Sequence, residues 1–264
     1  MKVRSICLVV LSFWVLSVSA YATGINVNLG TAEAFAVLAG STVTNTGFTN
    51  VYGNLGVWPG SAVTGFPPGI VTGTIHANDA VALQAQSDLT AAYIFAAGQG
   101  CEIDLTGQDL GGLTLNPGVY CFGSSAQLTG TVTLNGQGDP NAVFVFQIGS
   151  TLTTASSSSV VFINGGQGDS VFWQVGSSAT LGTTTEFAGN ILAFTSITLN
   201  TDANIHCGRA LARNGAVTMD DNDVSIDDSP GCQAVPEPGT APLLGMGFLL
   251  SLIVCGWQSR KQAT

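Results

Sequence analysis

Leu134-Asn135-Gly136-Gln137-Gly138-Asp139 returns as Ile163-Asn164-Gly165-Gly166-Gln167-Gly168-Asp169, and each copy is followed by the same kind of strand. The first strand reads Val143-Phe144-Val145-Phe146-Gln147-Ile148-Gly149-Ser150, the second Val171-Phe172-Trp173-Gln174-Val175-Gly176-Ser177. Fainter copies follow at Leu192–Ser196 and Leu211–Gly215. Aligned on Gln147, Gln174, Ala193 and Ala212, they step by 27, 19 and 19 residues. Short β-branched runs broken by Gly and Asn at a period near 20 mark a β-solenoid, whose coils satisfy their backbone hydrogen bonds from one to the next. A β-sandwich has a similar composition but gives no reason for self-similarity at this step. Phe35-Ala36-Val37-Leu38 through Val71-Thr72-Gly73-Thr74 has the same texture and reads as further coils.

Between the two stretches lies one helical segment. Asn78 or Asp79 can cap it, and Val81, Ala85, Leu89, Ala92 and Ala96 recur at helical spacing. Gly98 is a stop, which predicts a helix over about 79–97 with an Ala-rich face able to lie close against another surface.

Only 8% of the 264 residues are charged, against about 25% in a typical soluble domain. Of the 6 cations, Lys2, Arg4, Arg260 and Lys261 sit at the ends, leaving Arg209 and Arg213 in the body with all the acids but Glu237. A body so poor in cations cannot neutralise phosphates, which excludes a nucleic-acid binder. At 45% hydrophobic the chain is also too apolar for disorder.

The ends read as addresses. Lys2 and Arg4, the apolar run Ile6–Val18 and Ala20-Tyr21-Ala22 form a secretory signal over residues 1–22. At the other end, Val235-Pro236-Glu237-Pro238-Gly239 precedes an apolar stretch from Pro242 to Trp257, then Arg260 and Lys261; a short apolar span with terminal cations reads as a membrane stop. Residues 235–264 resemble the PEP-CTERM sorting tail of exopolysaccharide-producing bacteria. That resemblance implies an exosortase as partner, an association with exopolysaccharide, and release or attachment at the outer cell surface; the alternative is a permanent single-span anchor. The body, residues 23–234, is in either case outside the cytoplasm. Its four cysteines, Cys101, Cys121, Cys207 and Cys232, allow three pairings. Local order favours Cys101–Cys121 and Cys207–Cys232, and no short zinc-site spacing is present, so disulfides in an oxidising space are expected, with no metal and no cofactor.

Nothing in the chain reads as an enzyme: there is no Gly-x-Ser-x-Gly elbow, no His-Glu-x-x-His and no phosphate loop. His76 and His206 have no recognisable catalytic partner and are assigned structural or capping roles. Arg209 and Arg213 would be the cations of a polysaccharide-cleaving site. The acidic run Asp220, Asp221, Asp223, Asp227 and Asp228 lacks the glycine and final Glu of a calcium loop.

What the coils do offer is hydroxyls. Thr129–Thr133, Thr153–Ser159, Gly182–Thr185 and Asn200–Asn204 are Thr-, Ser- or Asn-rich. Alternation on a strand sends every second side chain outward, and stacked coils repeat about every 4.8 Å. The product is an uncharged grid of stiff methyl and hydroxyl groups suited to ordered water. Strand alternation places Thr131, Thr133, Ser157, Ser159, Thr183, Thr185 and Thr201 on this face. Glu186 and Asp202 would spoil the grid if they fell among them.

Phe35–Gly47, Gly53-Asn54-Leu55-Gly56-Val57-Trp58-Pro59-Gly60, Thr72–Ala77, Leu113–Tyr120, Val171–Ala179 and Gly208–Ala212 together resemble the microbial ice-binding protein family with a discontinuous β-helix. The resemblance runs from Asn28 to Asp228 in order. It implies a mainly β, roughly triangular β-helix with one long helix packed alongside and a segment near that helix capping one end. It also implies adsorption to ice through one flat face, giving growth arrest, recrystallisation inhibition or adhesion. A matrix module binding glycans or copies of itself is the alternative.

Overall fold

Every pairing between the described strands is parallel, and successive strands pair with segments one circuit away rather than with their neighbours in sequence. The structure is a computed structural model and describes residues 25–165 and 170–226. The signal reading (1–22), Cys232 and the sorting-tail reading (235–264) lie outside the described residues.

The chain winds in coils, each contributing strands to three ranks. Coil 4 shows the pattern: Gly118–Phe122, then Ala126–Leu128, then Thr131–Asn135. Coil 5 repeats it with Phe144–Ile148, Leu152–Thr154 and Ser159–Ile163, paired residue for residue with coil 4. Coils 6, 7 and 8 continue through Val171–Val175, Ala179–Leu181, Glu186–Ala193, Ile197–Leu199, Asn204–Ala212, Val217–Asp220 and Asp223–Ser225. Glu186–Ala193 and Asn204–Ala212 each run through a bend from the third rank of one coil to the first rank of the next, which joins those ranks in a 15-stranded sheet. Gly189 makes that bend with φ +101°, and at Gly208 a Cβ would lie 2.0 Å from the Gly189 carbonyl oxygen, so only glycine fits there. The middle rank is a separate 7-stranded sheet.

Stack order departs from chain order. Coil 1 (Phe35–Ala39, Thr42–Thr46, Asn50–Tyr52) lies on coil 8, through Val37↔Ala210, Thr44↔Thr218 and Val51↔Val224. Coil 2 (Asn54–Val57, Ala62–Thr64, Ile70–Val71) follows, and Ile75–Ala77 ends this side of the stack. Coil 3, including Ile103–Asp104 and Thr114–Leu115, forms the opposite end against coil 4. The helix α1 (Ala80–Ala97) therefore carries the chain from one end of the stack to the other.

One register differs from the sequence reading. Gln147 pairs with Gln174, but Gln174 pairs with Leu192, not Ala193, one residue short of the 19-residue step. A slip of one exchanges inside and outside: Leu192 points at α1, while Ala193 belongs to the interior. The inward column of the first rank reads Tyr120, Phe146, Trp173, Ile191, Ala210, Val37 and Leu55. Its aromatic part is stacked, with 3.9 Å between the centroids of Phe146 and Trp173.

Asp79 caps α1 by accepting the Ala82 amide at 2.8 Å, and Gly98 follows its last turn. Ala85, Leu89, Ala92, Tyr93 and Ala96 pack on Leu38, Leu211, Leu192, Phe172, Val145 and Val119. Val81, placed on that face by spacing, is 47% exposed instead. A 3-10 turn, Gly30–Ala34, straps the helix down, with Asp88 accepting both the amide and the hydroxyl of Thr31. The first rank is thus covered, and the middle and third ranks are left without a helix over them.

Candidate functional surface

The middle rank is built from three-residue units of one kind: an inward apolar residue, an outward threonine, and a second inward residue. Leu152-Thr153-Thr154, Ala179-Thr180-Leu181, Ile197-Thr198-Leu199, Val217-Thr218-Met219 and Val43-Thr44-Asn45 supply them, and Val63-Thr64, followed by Gly65, supplies the first two positions. Register aligns the outward positions into one column, Thr153↔Thr180↔Thr198↔Thr218↔Thr44↔Thr64, with Gln127 extending it beyond Thr153. Thr153, Thr218 and Thr64 are exposed and the other three half-buried.

A second outward column precedes it by two residues: Ser125, Thr151, Ser178, Ser196, Ala216, Thr42 and Ala62. Thr151 donates its hydroxyl to Ser125 at 2.8 Å, and the hydroxyls of Ser178 and Ser196 accept the amides of Ser196 and Ala216. From Gln127 to Thr64 neither column holds a charged residue; the exposed Asp109, bridged to Gln127, follows at the coil 3 end. With coils about 4.8 Å apart and alternate residues about 6.6 Å apart along a strand, the two columns make a regularly spaced, uncharged lattice. Stiff β-branched side chains hold most of its points.

The residues chosen from sequence lie elsewhere. Thr131 and Ser159 are in the third rank, sharing a 2.7 Å hydroxyl–hydroxyl bond, and Thr133 is half-buried in that rank beside Val161. Their column continues as Glu186, Asn204, Asp223, Asn50 and Ile70, so the hydroxyl row lasts for two coils only. The carboxylate of Glu186 falls directly in it. Ser157, Thr183 and Thr201 lie at the turn between the middle and third ranks. There Ser156 bonds Thr183 at 2.7 Å, Ser157 bonds Thr184 at 2.9 Å, and Thr201 donates to Asp220 at 2.5 Å. Thr185 is fully buried, with its hydroxyl 2.9 Å from that of Thr154, and presents nothing to solvent.

The cause is local. Ser157, Thr184, Asp202 and Asp221 have φ of 58°, 56°, 58° and 53°, a ladder of left-handed residues that turns the chain at this edge. A strand alternation drawn straight through such a residue puts its two neighbours on one face. The turn instead leaves Thr183 exposed and sends Thr185 into the interior. The middle-rank threonines carried their own signal, a single Thr flanked by two inward residues at each repeat, which a search for Thr- and Ser-rich runs passes over.

The remaining candidates are held in structural contacts. His76 Nδ1 lies 2.7 Å from Asp79, and His206 Nε2 lies 2.5 Å from Glu186. Arg209 is buried, donating to the Glu33 carbonyl and to Asn190. Arg213 lies over the rings of Tyr93 and Phe194, 4.6 and 5.4 Å from their centroids. Asp220, Asp221 and Asp223 accept from Thr201, the Phe48 amide and Asn50 respectively, rather than converging on a common point. Asp227 and Asp228 lie outside the described residues, and among the described residues no cluster of His, Cys, Asp or Glu fits a metal ion.

Cys101 and Cys121 form a disulfide, with 2.07 Å between the sulfurs. Cys207 is disulfide-bonded as well, and its expected partner, Cys232, is outside the described residues. No helix among the described residues is long and apolar enough to cross a membrane.

The sequence profile of the Ice-binding-like family matches residues 37–225. An ice-binding protein of Nostoc sp. (strain HG1) is 58% identical over 261 residues, covering 97% of this chain and 96% of that protein. The ice-binding protein of Flavobacterium frigoris (strain PS1) is 34% identical over 215 residues, 76% of each chain. Among solved structures, an ice-binding protein from an Antarctic biological consortium matches with a TM-score of 0.76 at 49% identity, covering 78% of this chain and 93% of the other. The ice-binding protein of the Antarctic ascomycete Antarctomyces psychrotrophicus matches at 0.75 and 41% identity, covering 78% and 100%.

Proposed function

The chain belongs to the Ice-binding-like family, and from that premise we propose that it is a non-catalytic, exported protein that adsorbs to ice through the middle rank of its coils. The observation that carries the choice of surface is the column of six threonines in unbroken register. The coils are read as a discontinuous, three-sided β-helix. One side lies under α1, one carries the ladder of Glu186, His206, Asn204, Asp223 and Asn50, and one carries the threonines.

Each threonine contributes a methyl group, around which water orders, and a hydroxyl that holds an ordered water by a hydrogen bond. The backbone is fixed by ladders on both sides and χ1 is restricted by β-branching, so little side-chain freedom is lost on adsorption. The absence of charge from both columns matters equally: a carboxylate or ammonium orders water about itself in a pattern a lattice cannot share. An ice front held between adsorbed molecules bulges, and the curvature opposes its growth.

Export rests on the signal-like residues 1–22 and on cysteines held in disulfides. Residues 235–264 read as the substrate of an exosortase, with release or attachment at the cell surface. The test is partition of the full chain into a slowly grown ice hemisphere, alongside the variant Thr198→Tyr. Adsorption predicts that the parent enters the ice and the variant, still folded by circular dichroism, stays in the liquid. Entry of both in equal measure rejects this side of the coil, and exclusion of both rejects ice binding.

A further inference from the structure

The side of the molecule covered by α1 is apolar outward as well as inward. Apart from the half-buried Asp88, α1 carries no charged residue, so its exposed face lacks the polar coat of a solvated helix. Ile25, Val81, Leu83, Ile94, Phe95 and Phe194, all on or beside this face, make up half of the large apolar side chains exposed among the described residues. The two flanks of the helix differ. At about 100° per residue, Asp88 and Thr90 stand on opposite flanks of α1. On the Asp88 flank, where the first-rank strands begin, helix and strap wall a largely apolar groove of about 390 Å³ that includes Gly30, Asp88, Ala91 and Phe95. The strap also carries the exposed Glu33. On the Thr90 flank, where those strands end, Arg213 follows Asn204–Ala212. Its Nε lies 3.4 Å from the Thr90 hydroxyl and its guanidinium over Tyr93 and Phe194. Among the described residues no carboxylate pairs with it. Ile94, one turn beyond Thr90, and Phe194 stand out on this flank, 62% and 44% exposed.

We propose that this side pairs with a second copy of the chain about a two-fold axis parallel to α1. Ile94 and Phe194 of each copy enter the groove of the other, and Arg213 of each meets the partner's Asp88 and the partner's Glu33. Such an axis exchanges the two flanks and keeps heights along the helix. Asp88 and Thr90 differ in height by about 3 Å, and the groove reaches from Asp88 to Phe95, the level of Ile94 and of Phe194 on Tyr93. Oδ1 of Asp88 accepts one bond, from Gln84, and keeps a lone pair for a guanidinium. A two-fold across the helix would set Arg213 against Arg213 and acid flank against acid flank, so charge selects the axis. The area is sufficient. Nine first-rank strands about 4.8 Å apart make this side about 38 Å tall, and five-residue strands make it about 17 Å wide. Its ridged surface exceeds the projected area of about 650 Å², against about 800 Å² per partner in a specific pair. The contact is self-complementary and closes at two copies. Both threonine sides stay uncovered, on opposite flanks of the pair, so the pairing adds to the ice-binding reading without resting on it.

Single engineered cysteines test the pairing. Ala80 and Ala91 are exposed and lie about three turns apart on one line of α1. Under the proposed axis each meets its own counterpart, whereas a two-fold across the helix brings at most one of them to itself. The full chain is oxidised mildly as Ala80→Cys, Ala91→Cys and, on the threonine side, Thr198→Cys, and covalent dimer is read on non-reducing gels. The expected result is linking at Ala80 and at Ala91, with Thr198→Cys no higher than the parent. Adding Ile94→Asp, which puts a carboxylate where an isoleucine would be buried, should cut the linking about tenfold. Should Ile94→Asp fail to melt cooperatively, Phe95→Asp in the groove wall serves instead. Linking at only one of the two positions, equal linking at Thr198, or linking that survives the folded aspartate variant overturns the proposal. Absence of linking everywhere overturns it too, and protection of the unlinked thiols from a maleimide would then assign the cover to another part of this chain. Ice partition of the folded Ile94→Asp chain should match the parent, which keeps a failure of the pairing distinct from a failure of the ice face.

Discussion

The hydroxyl of Thr44 lies 3.3 Å from that of Thr218, although 174 residues separate them in the chain. The contact is the seam where coil 1 closes onto coil 8, and across it the threonine column continues without a change of register. Without this docking the column would end at Thr218, and Thr44 and Thr64 would belong to a separate surface.

Substitutions on the two exposed sides separate them functionally. Thr180→Tyr places a ring in the middle of the column and is expected to abolish ice shaping and thermal hysteresis. Thr131→Tyr, on the third rank beside Ser159, leaves both intact. Each is a surface change worth within about 0.5 kcal/mol of stability, so the melting temperature distinguishes loss of binding from loss of fold. Equal loss in both variants would count against the assignment.

Thr185 tests the interior. Thr185→Val removes a buried hydroxyl whose partner, Thr154, remains. Leaving a buried polar group short of a partner costs about 1–3 kcal/mol, read as a lower urea midpoint with the slope unchanged. Ice partition of the variant below its unfolding transition is expected to match the parent, because the residue contributes nothing to the surface.

The Cys101–Cys121 bond closes a loop with a sequence separation of 20 at the coil 3 end of the stack. Chain-entropy reasoning gives such a loop roughly 3 kcal/mol. The double variant Cys101→Ser, Cys121→Ser should therefore unfold at lower urea by about that amount. It keeps the threonine lattice, whose nearest member to that end is Gln127. A loss of ice binding in the folded double variant would contradict this.

Acid sensitivity should come from Asp88, which holds the 3-10 turn on the helix, and from Asp109, bridged to Gln127 at the coil 3 end of the threonine side. The hydroxyl and then the amide of Thr31 hold the Asp88 carboxyl below its ordinary value. For Asp109, burial pushes upward, but the Gly111 amide with the hydroxyl and amide of Thr129 outweighs it, and the net direction is down. A carboxyl depressed in the folded state binds protons more readily when unfolded, so its contribution is fully present above the ordinary Asp value near 3.9. It is lost as pH falls through the depressed one. Asp88→Asn should make the fall in stability below about pH 4 shallower, measured by thermal melts across pH. Ice activity, with no titratable group in the threonine column between Gln127 and Thr64, should stay flat with pH wherever the protein is folded.

The winding is legible locally: Gly- and Asn-punctuated repeats, inward Phe, Trp, Val and Leu, and a helix bounded by Asn78 or Asp79 and by Gly98 are signals that each act within a few residues. The sequence also placed Cys101 near Cys121 by local order, and it carried the family resemblance. Which hydroxyls meet water depends on how the turns and coils pack. Left-handed residues at Ser157 and Thr184 reset the alternation that a straight strand would keep, so Thr183 faces outward and Thr185 inward. The pairing of Gln174 with Leu192 rather than Ala193 is likewise a choice of register, and a one-residue slip there exchanges inside for outside. The length of the threonine column depended on a pairing across nearly the whole chain, Thr44 with Thr218, which no spacing between neighbouring residues encodes. Registers are set by how coils pack on one another, and that packing exists only once the chain has closed on itself.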